Sequence, residues 1–400
     1  MKFCTICLYP DTKPGLHFDE NGVCFACKWH ELKNTIDWNS RKKELEKILD
    51  KYKNKDGNSY DCIIPISGGK DSHYLAYVII KEFGLKPLLV NFYPLDQTAI
   101  GSENLENLQS LGADCIEFTP NPLVYKKLAK FGLVELGDYQ WPEHLGIFTI
   151  PYKIAAQYKI PLLIWAETPN EYGVGDNYDG MYINDRKFQE KFQGFFLDKI
   201  KPEDMVKYNF EKRDLLPYFF PSQKEIDDIG ITGIFLGSYL KWDIFKQMDI
   251  VKSVGFKEDK ITKEGTYDSW ENLDVKYTVF HDYFKFLKFG FGRTTDHVSI
   301  EIRYGRMTRD EGLKRIKEFE GKIPTQYLDE FLTESELTKE DFVNAEAAFE
   351  KMQERYGSMA SGRVLPKINH VHAYGPHVGD NARKQAAEFK NKLTLMRNPG

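Results

Sequence analysis

Tyr60-Asp61-Cys62-Ile63-Ile64-Pro65-Ile66-Ser67-Gly68-Gly69-Lys70-Asp71-Ser72 decides the fold. The run up to Ile66 is short, apolar and β-branched, which is the signature of a buried strand. After it, His73 to Phe83 carries apolar residues at Tyr74, Leu75, Val78, Ile79 and Phe83, the spacing of a helix. A strand, a tight Ser-Gly-Gly turn and a helix make an anion cradle, because glycines let the backbone turn and helix N-terminal amides point at a phosphate. Ser67 and Ser72 add hydroxyl donors, Lys70 a cation, and Asp71 a carboxylate able to hold magnesium. The turn is too short for a Walker A loop and its glycines are wrongly spaced for a dinucleotide fingerprint. The bland alternative is a Ser/Gly turn that merely starts a helix.

The surroundings repeat the pattern. Pro87 to Phe92 and Asp114 to Phe118 read as strands, Ser102 to Leu111 as a helix, His144 to Tyr158 as a helix, and Pro161 to Ala166 as a fourth strand. Such alternation predicts a doubly wound parallel sheet. Ligands of open α/β sheets sit beyond the carboxyl ends of the strands. Ser67–Ser72, the segment after Phe92 and the segment after Ala166 therefore share one rim. In the third, Glu167, Asn170, Glu171 and Tyr172 offer a magnesium and substrate loop, against the plainer reading of an acidic surface turn. Residues 176–229 read as an irregular insertion covering the site. Another apolar run, Ile234 to Leu240, precedes Lys241-Trp242-Asp243 and a helix from Phe245 to Val254.

Cys4-x2-Cys7 and Cys24-x2-Cys27 stand sixteen residues apart. Two such knuckles complete a tetrahedral thiolate site, and four thiolates leave no open position, so the expected ion is structural Zn2+. A segment this small folds on metal-binding energy, and disulfides or an iron–sulfur cluster are the competing readings. Cys62 and Cys115 read as buried small hydrophobes. A charged helix, Glu31 to Tyr52, links the knuckle to the sheet.

The chain has 400 residues, 42% apolar and 29% charged, with a net charge of −5. That fits a two- or three-domain water-soluble protein and argues against nucleic acid as the main partner. No apolar run reaches the ~18 residues a membrane span needs, and no signal peptide opens the chain, so the expected location is cytoplasmic, with no membrane partner.

His281 to Asp296 and Glu301 to Gly312 form a second distinctive block: a helix broken at Gly290 and Gly292, then another helix, studded with cations. Lys and Arg near those glycines are candidates for phosphate or carboxylate binding, against the plainer reading of a solvated charged face over a Phe/Tyr core. After about Asn344 the composition changes. Residues 351–400 hold nine Lys/Arg against three Asp/Glu. Ala345–Tyr356 reads as a helix, and His370, His372 and His377 cluster in a Gly/Pro-containing stretch, more as surface residues than as ligands.

Ser67–Ser72, written S-G-G-K-D-S, resembles the pyrophosphate loop (PP-loop) of HUP-like ATP pyrophosphatases. With the four cysteines, Glu167–Gly173, Tyr239-x2-Trp242-Asp243 and the Phe/Gly/Arg block in this order, the chain resembles the N-acetyl sugar amidotransferases of WbpG/PseA type, from Cys4 to about Phe342. The resemblance implies that ATP adenylates an acetamido oxygen and ammonia then displaces AMP. The product is an acetamidino sugar of the lipopolysaccharide O-antigen or flagellin-glycan kind, including pseudaminic acid derivatives. It implies ATP and Mg2+ at Ser67, Gly68, Gly69, Lys70, Asp71 and Ser72, catalysis by Lys70, Asp71, Glu167 and Glu171, and substrate contacts from Asn170, Tyr172, Trp242, Asp243, Lys288, Arg293 and Arg303. No cysteine stands out as a glutaminase nucleophile. The implied partners are a separate glutaminase similar to that of histidine biosynthesis and a cyclase-like subunit. The organisation expected is a knuckle (1–30), a linker helix (31–58), a PP-loop domain (59–260), a helical substrate-binding part (261–344) and a basic tail (345–400). The competing functions are a PP-loop tRNA thiolase or lysidine-type ligase, and a non-catalytic zinc scaffold.

Overall fold

The computed structural model describes residues 2–174, 188, 201–260 and 263–344. Most of the first part of the expected insertion, the helix at Ala345–Tyr356, the three tail histidines and the basic tail lie outside the described residues.

A five-stranded, all-parallel sheet has the order β3-β2-β1-β4-β5, with β1 Cys62–Ile66, β2 Pro87–Phe92, β3 Asp114–Phe118, β4 Leu162–Trp165 and β5 Thr232–Phe235. The central pair β1 and β2 runs in register from Cys62 opposite Pro87 to Ile66 opposite Asn91. The two faces of β1 divide by the strand period of two. Ile63 joins a core with Leu88, Val90 and Leu163, while Cys62 and Ile64 join the opposite core with Leu89, Leu162 and Ile164. Both faces are covered, which is why β1 reads as an unbroken apolar run rather than an alternating one.

Helices α3 (Lys70–Tyr77), α4 (Ala99–Ser110), α5 (Pro122–Phe131) and α6 (Trp141–Tyr158) lie between the first four strands. The helix after the Ser-Gly-Gly turn starts at Lys70, earlier than apolar spacing predicts, because extended Gly69 is its N-cap; beyond Tyr77 it widens into a π-helical turn, Val78–Glu82. Helix α5 escaped the sequence reading, although Asn121 caps it and Pro122 occupies its first position, a recognised start signal. Gly146 of α6 lies against the Phe92 ring, where a Cβ would come within 2.2 Å of a ring carbon.

The expected single helix at 31–52 is two. α1 (Phe25–Leu32) grows out of the second cysteine knuckle, and α2 (Trp38–Tyr52) restarts where the Asp37 carboxylate accepts from the amides of Asn39 and Ser40. The described part of the insertion, 201–229, is folded rather than irregular. Met205, Leu215, Tyr218 and Ile226 join the main core, Thr149 of α6 donates to the Pro217 carbonyl, and a capping box at Ser222 and Glu225 starts α7 (Gln223–Ile229). After β5 come α8 (Ile244–Ser253), α9 (Thr278–Phe289), α10 (Arg293–Arg303), α11 (Arg309–Phe319) and α12 (Leu328–Glu334). The break between α9 and α10 falls at the two expected glycines, Gly290 adopting a left-handed φ of 73°. No described helix is long and apolar enough to cross a membrane.

Candidate active site and cysteine centre

Strand order reverses between β1 and β4, so a crevice opens there at the carboxyl edge of the sheet. The Ser67–Ser72 loop leaves β1 at that point and the 166–173 loop leaves β4 beside it. In the first loop Gly68 has a φ of +92°, and a Cβ there would stand 3.1 Å from the Gly101 carbonyl oxygen. Both serines brace the turn. The Ser72 hydroxyl accepts from the Ser67 amide at 3.3 Å and donates to the Gly69 carbonyl at 3.2 Å, and Ser67 Oγ accepts from the Gly69 amide at 3.3 Å. No side chain caps α3, which leaves its first-turn amides to meet an anion.

Lys70 is buried, and its ammonium sits between two carboxylates, 2.6 Å from Asp71 and 3.0 Å from Glu271. Burial works against its charge, but Asp71 and Glu271 together hold the ammonium above its ordinary pKa. Burial raises Asp71 against the pull of Lys70. It pushes Glu167 up to about 8, with the Asp71 charge adding to the effect. Glu271 goes the other way, down to about 2, because Lys70, His297 and Arg293 outweigh its burial. Tyr172 is raised by burial and then by the charges of Glu167, Asp71 and Glu271. Arg293 reaches the group through Asp282, at 3.2 Å.

The structure therefore gathers Ser67–Ser72, Lys70, Asp71, Glu167, Tyr172 and Arg293 around one acidic cluster and adds Glu271, which the sequence reading missed. Asn170, buried on the same β4 loop, has neither amide atom hydrogen-bonded, and Thr168 Oγ1 and Asn91 Nδ2 are likewise without a partner among the described residues. Three buried, unanswered polar groups near strand ends are what a polar ligand would satisfy. The segment after Phe92 is paired with the later chain: Thr98 donates to Asp274, and Lys276 to Asp96, each at 3.0 Å.

Five other candidates point elsewhere. The Glu171 carboxylate accepts from Lys33 and from the Trp29 indole, both at 2.8 Å, tying the β4 loop to α1. Arg303 donates to the Glu171 carbonyl at 3.1 Å and lies over the Tyr9 ring. Lys288 is buried, its ammonium 3.5 Å from the Leu136 carbonyl. Trp242 is buried against Tyr74, and Asp243 is the N-cap of α8. Residue type and the family resemblance marked them as site candidates. Long-range packing decided where each one points.

The four knuckle thiols converge, all within 4.8 Å of one another. Cys4 and Cys27 Sγ are 3.7 Å apart and Cys7 and Cys24 3.5 Å, far beyond a disulfide's ~2.05 Å. Tetrahedral Zn–S bonds of ~2.3 Å put sulfurs about 3.8 Å apart, so the donor set fits zinc closely. Backbone amides of Ile6 and Cys24 point at Cys4 Sγ, at 3.4 and 3.3 Å, as they do toward thiolates. Cys62 is buried as expected, while Cys115 on edge strand β3 is only partly so.

The knuckle is bolted to α10 and to the start of α11. Ser299 donates to the Cys7 carbonyl at 2.6 Å and Arg309 to the Cys4 carbonyl at 2.6 Å. Lys13 pairs with Asp296 at 3.0 Å, and Asp296 also takes Lys285 at 2.6 Å.

Fold and site together define a parallel α/β protein with an anion loop at its switch point and a four-cysteine centre. Its C-terminal part is WbpG-like: residues 264–369 match the family model described as LPS biosynthesis protein WbpG-like, C-terminal domain. That match runs past Phe342, where the resemblance read from sequence ends, and takes in part of the basic tail. An uncharacterized protein of Methanocaldococcus jannaschii, MJ1599, is 38% identical over 106 residues, 26% of this chain and 36% of that relative, so the match spans about a third of the relative's length. Among solved structures, an NMN synthetase from Francisella tularensis aligns at 15% identity and a TM-score of 0.32, over 68% of this chain and 94% of its own. An NH3-dependent NAD synthetase from Campylobacter jejuni aligns at 16% identity and a TM-score of 0.27, over 57% and 100%.

Proposed function

We propose that this protein is an ATP-dependent amidotransferase acting on an N-acetylated sugar of surface-polysaccharide biosynthesis. The observation that carries the reading is the meeting of Lys70, in the anion loop, with Glu271, in the WbpG-like segment. Through it the loop and the family-specific part share one site. In this reading the first-turn amides of α3 and Lys70 take the ATP phosphates. Asp71 and Glu167 are the carboxylates that would hold Mg2+, which would neutralise the phosphate charge. Asn170, Thr168 and Tyr172 meet the substrate, and Arg293 stands over the departing anion.

The acetamido oxygen attacks the α-phosphorus and pyrophosphate leaves, giving an O-adenylyl imidate. Ammonia adds to the imidate carbon and AMP departs with the former amide oxygen, leaving the acetamidine. The chemistry requires that water be kept from the imidate. The free cysteines outside the knuckle are poor nucleophiles, since burial raises both Cys62 and Cys115. Ammonia therefore comes from a separate glutaminase subunit, delivered with a cyclase-like partner.

The test incubates purified protein with ATP, Mg2+, ammonium and either nucleotide-linked N-acetyl sugars or N-acetylated nonulosonates. Pyrophosphate release with a product lighter by the difference between O and NH is the expected result. Release that depends on tRNA instead of sugar would overturn the reading.

A further inference from the structure

A second group of ligand-type side chains lies apart from the anion loop and from the cysteines. Asp138 precedes α6, His144 lies in the first turn of α6, and His281 comes from α9. One ligand atom from each lies within 4.8 Å of the other two. The Asp138 carboxylate is buried and held in place, since its Oδ1 accepts from the Gln140 amide at 3.0 Å. His281 Nδ1 stands 2.9 Å from Oδ1, and His144 Nδ1 stands 3.8 Å from Oδ2. The two imidazoles meet edge to face with centroids 5.0 Å apart. Among the described ion pairs, Asp138 has no lysine or arginine; both its partners are these histidines.

We propose that Asp138, His144 and His281 bind a divalent transition-metal ion. A buried carboxylate needs positive charge beside it, and two imidazoles turned toward it by the same ring nitrogen supply donors for one. Metal–ligand bonds of ~2.0–2.2 Å put neighbouring ligand atoms about 3–3.5 Å apart. The observed separations reach that range with small side-chain rotations. Two imidazoles and one carboxylate suit Zn2+, Co2+, Ni2+, Mn2+ or Fe2+ and not Mg2+ or Ca2+, which take oxygen ligands.

The side chains of His144 and His281 are 32% and 20% exposed, so one side of the site faces solvent. Three protein ligands and an open side leave room for water or a ligand oxygen, unlike the closed cysteine centre. The site is also bipartite. Asp138 and His144 belong to the α/β part and His281 to the WbpG-like segment, so the ion forms only where the two parts are docked. Asp282, next to His281, pairs with Arg293 of the candidate active site.

The experiment uses the full-length protein carrying one equivalent of zinc, which the four thiolates take first, with no free zinc present, and titrates it with Co2+. Bound metal is counted by mass spectrometry, and the visible spectrum is recorded. The expected result is about one Co2+ per chain above the zinc, with d–d bands and no sulfur charge-transfer band. H144A and H281Q should each weaken it by at least ~10-fold, the low end of what the loss of even an indirect metal partner costs. D71N should leave it unchanged. Zinc content and circular dichroism check the fold, and H144A, at the more exposed position, serves if H281Q does not fold. Absence of additional Co2+ binding up to millimolar concentration would overturn the proposal. So would equal affinity in H144A, or loss in D71N with retention in H144A.

Discussion

Lys70 Nζ lies 3.0 Å from Glu271 Oε1, so the lysine of the anion loop is clasped by a carboxylate 201 positions further along the chain. Asp71 holds the same ammonium at 2.6 Å. Any anion that enters the loop competes with these two carboxylates for Lys70.

Lys70→Ala removes the one lysine or arginine that the Ser67–Ser72 loop itself carries. In the proposed reaction it lowers ATP-dependent pyrophosphate release by about 10²–10³-fold, the usual cost of one preorganised charge at a transition state. Steady-state pyrophosphate assays check it, with Lys70→Arg as the charge-retaining control.

Glu271 and Glu167 give opposite pH signatures. The Glu271 pKa is depressed, so its contribution to stability is present above its unfolded value near 4.5 and is lost as pH falls toward about 2. Glu271→Gln therefore destabilises at pH 7 and matters progressively less in acid. The Glu167 pKa is raised to about 8, so its contribution is full below about 4.5 and is lost as pH rises through 8. Glu167→Gln raises the melting temperature above pH 8 and leaves it unchanged below pH 4.5. Melting curves of both variants from pH 3 to 9 decide the matter.

Glu171 separates structure from catalysis. Its carboxylate neutralises Lys33, which is almost fully buried at 1% side-chain exposure. Removing one partner of a buried pair costs about 3–5 kcal/mol. Glu171→Ala should lose that much in urea unfolding, while the surviving folded enzyme keeps pyrophosphate release within a few-fold.

Asp296 stands between Lys13 of the knuckle and Lys285 of α9. Asp296→Asn leaves the buried Lys13 ammonium without its counter-charge and facing the half-buried Lys285, and should cost the ~3–5 kcal/mol of a broken buried pair. Denaturant titration measures it, and Lys13→Met in the same background should restore part of the loss.

The cysteine centre should hold about one zinc per chain. Cys24→Ser lowers zinc content, and because Ser299 and Arg309 both bind knuckle carbonyls, limited proteolysis should then cut near α10 as well as in the knuckle. Cleavage confined to the first thirty residues would contradict the coupling.

Local chemistry was legible in the chain. Apolar runs marked the inner strands β1, β2 and β4, because a parallel sheet covered on both faces keeps most of their side chains from water. Ser-Gly-Gly marked the loop, because a residue at Gly68's φ of +92° is rarely anything but glycine. The paired CxxC spacings marked the thiol centre, because two thiolates two residues apart share one ion from a single turn. What spacing could not reveal was direction. Glu167 and Glu171 lie four residues apart, yet one faces the acidic cluster and the other Lys33. Glu271 carries no motif at all, and Arg303, read as a phosphate ligand, leans on Tyr9 beside the thiols. Those assignments depend on which distant element fills the space beside each side chain. Burial and pairing energies set that choice only once the knuckle, the sheet and the C-terminal helices have packed together.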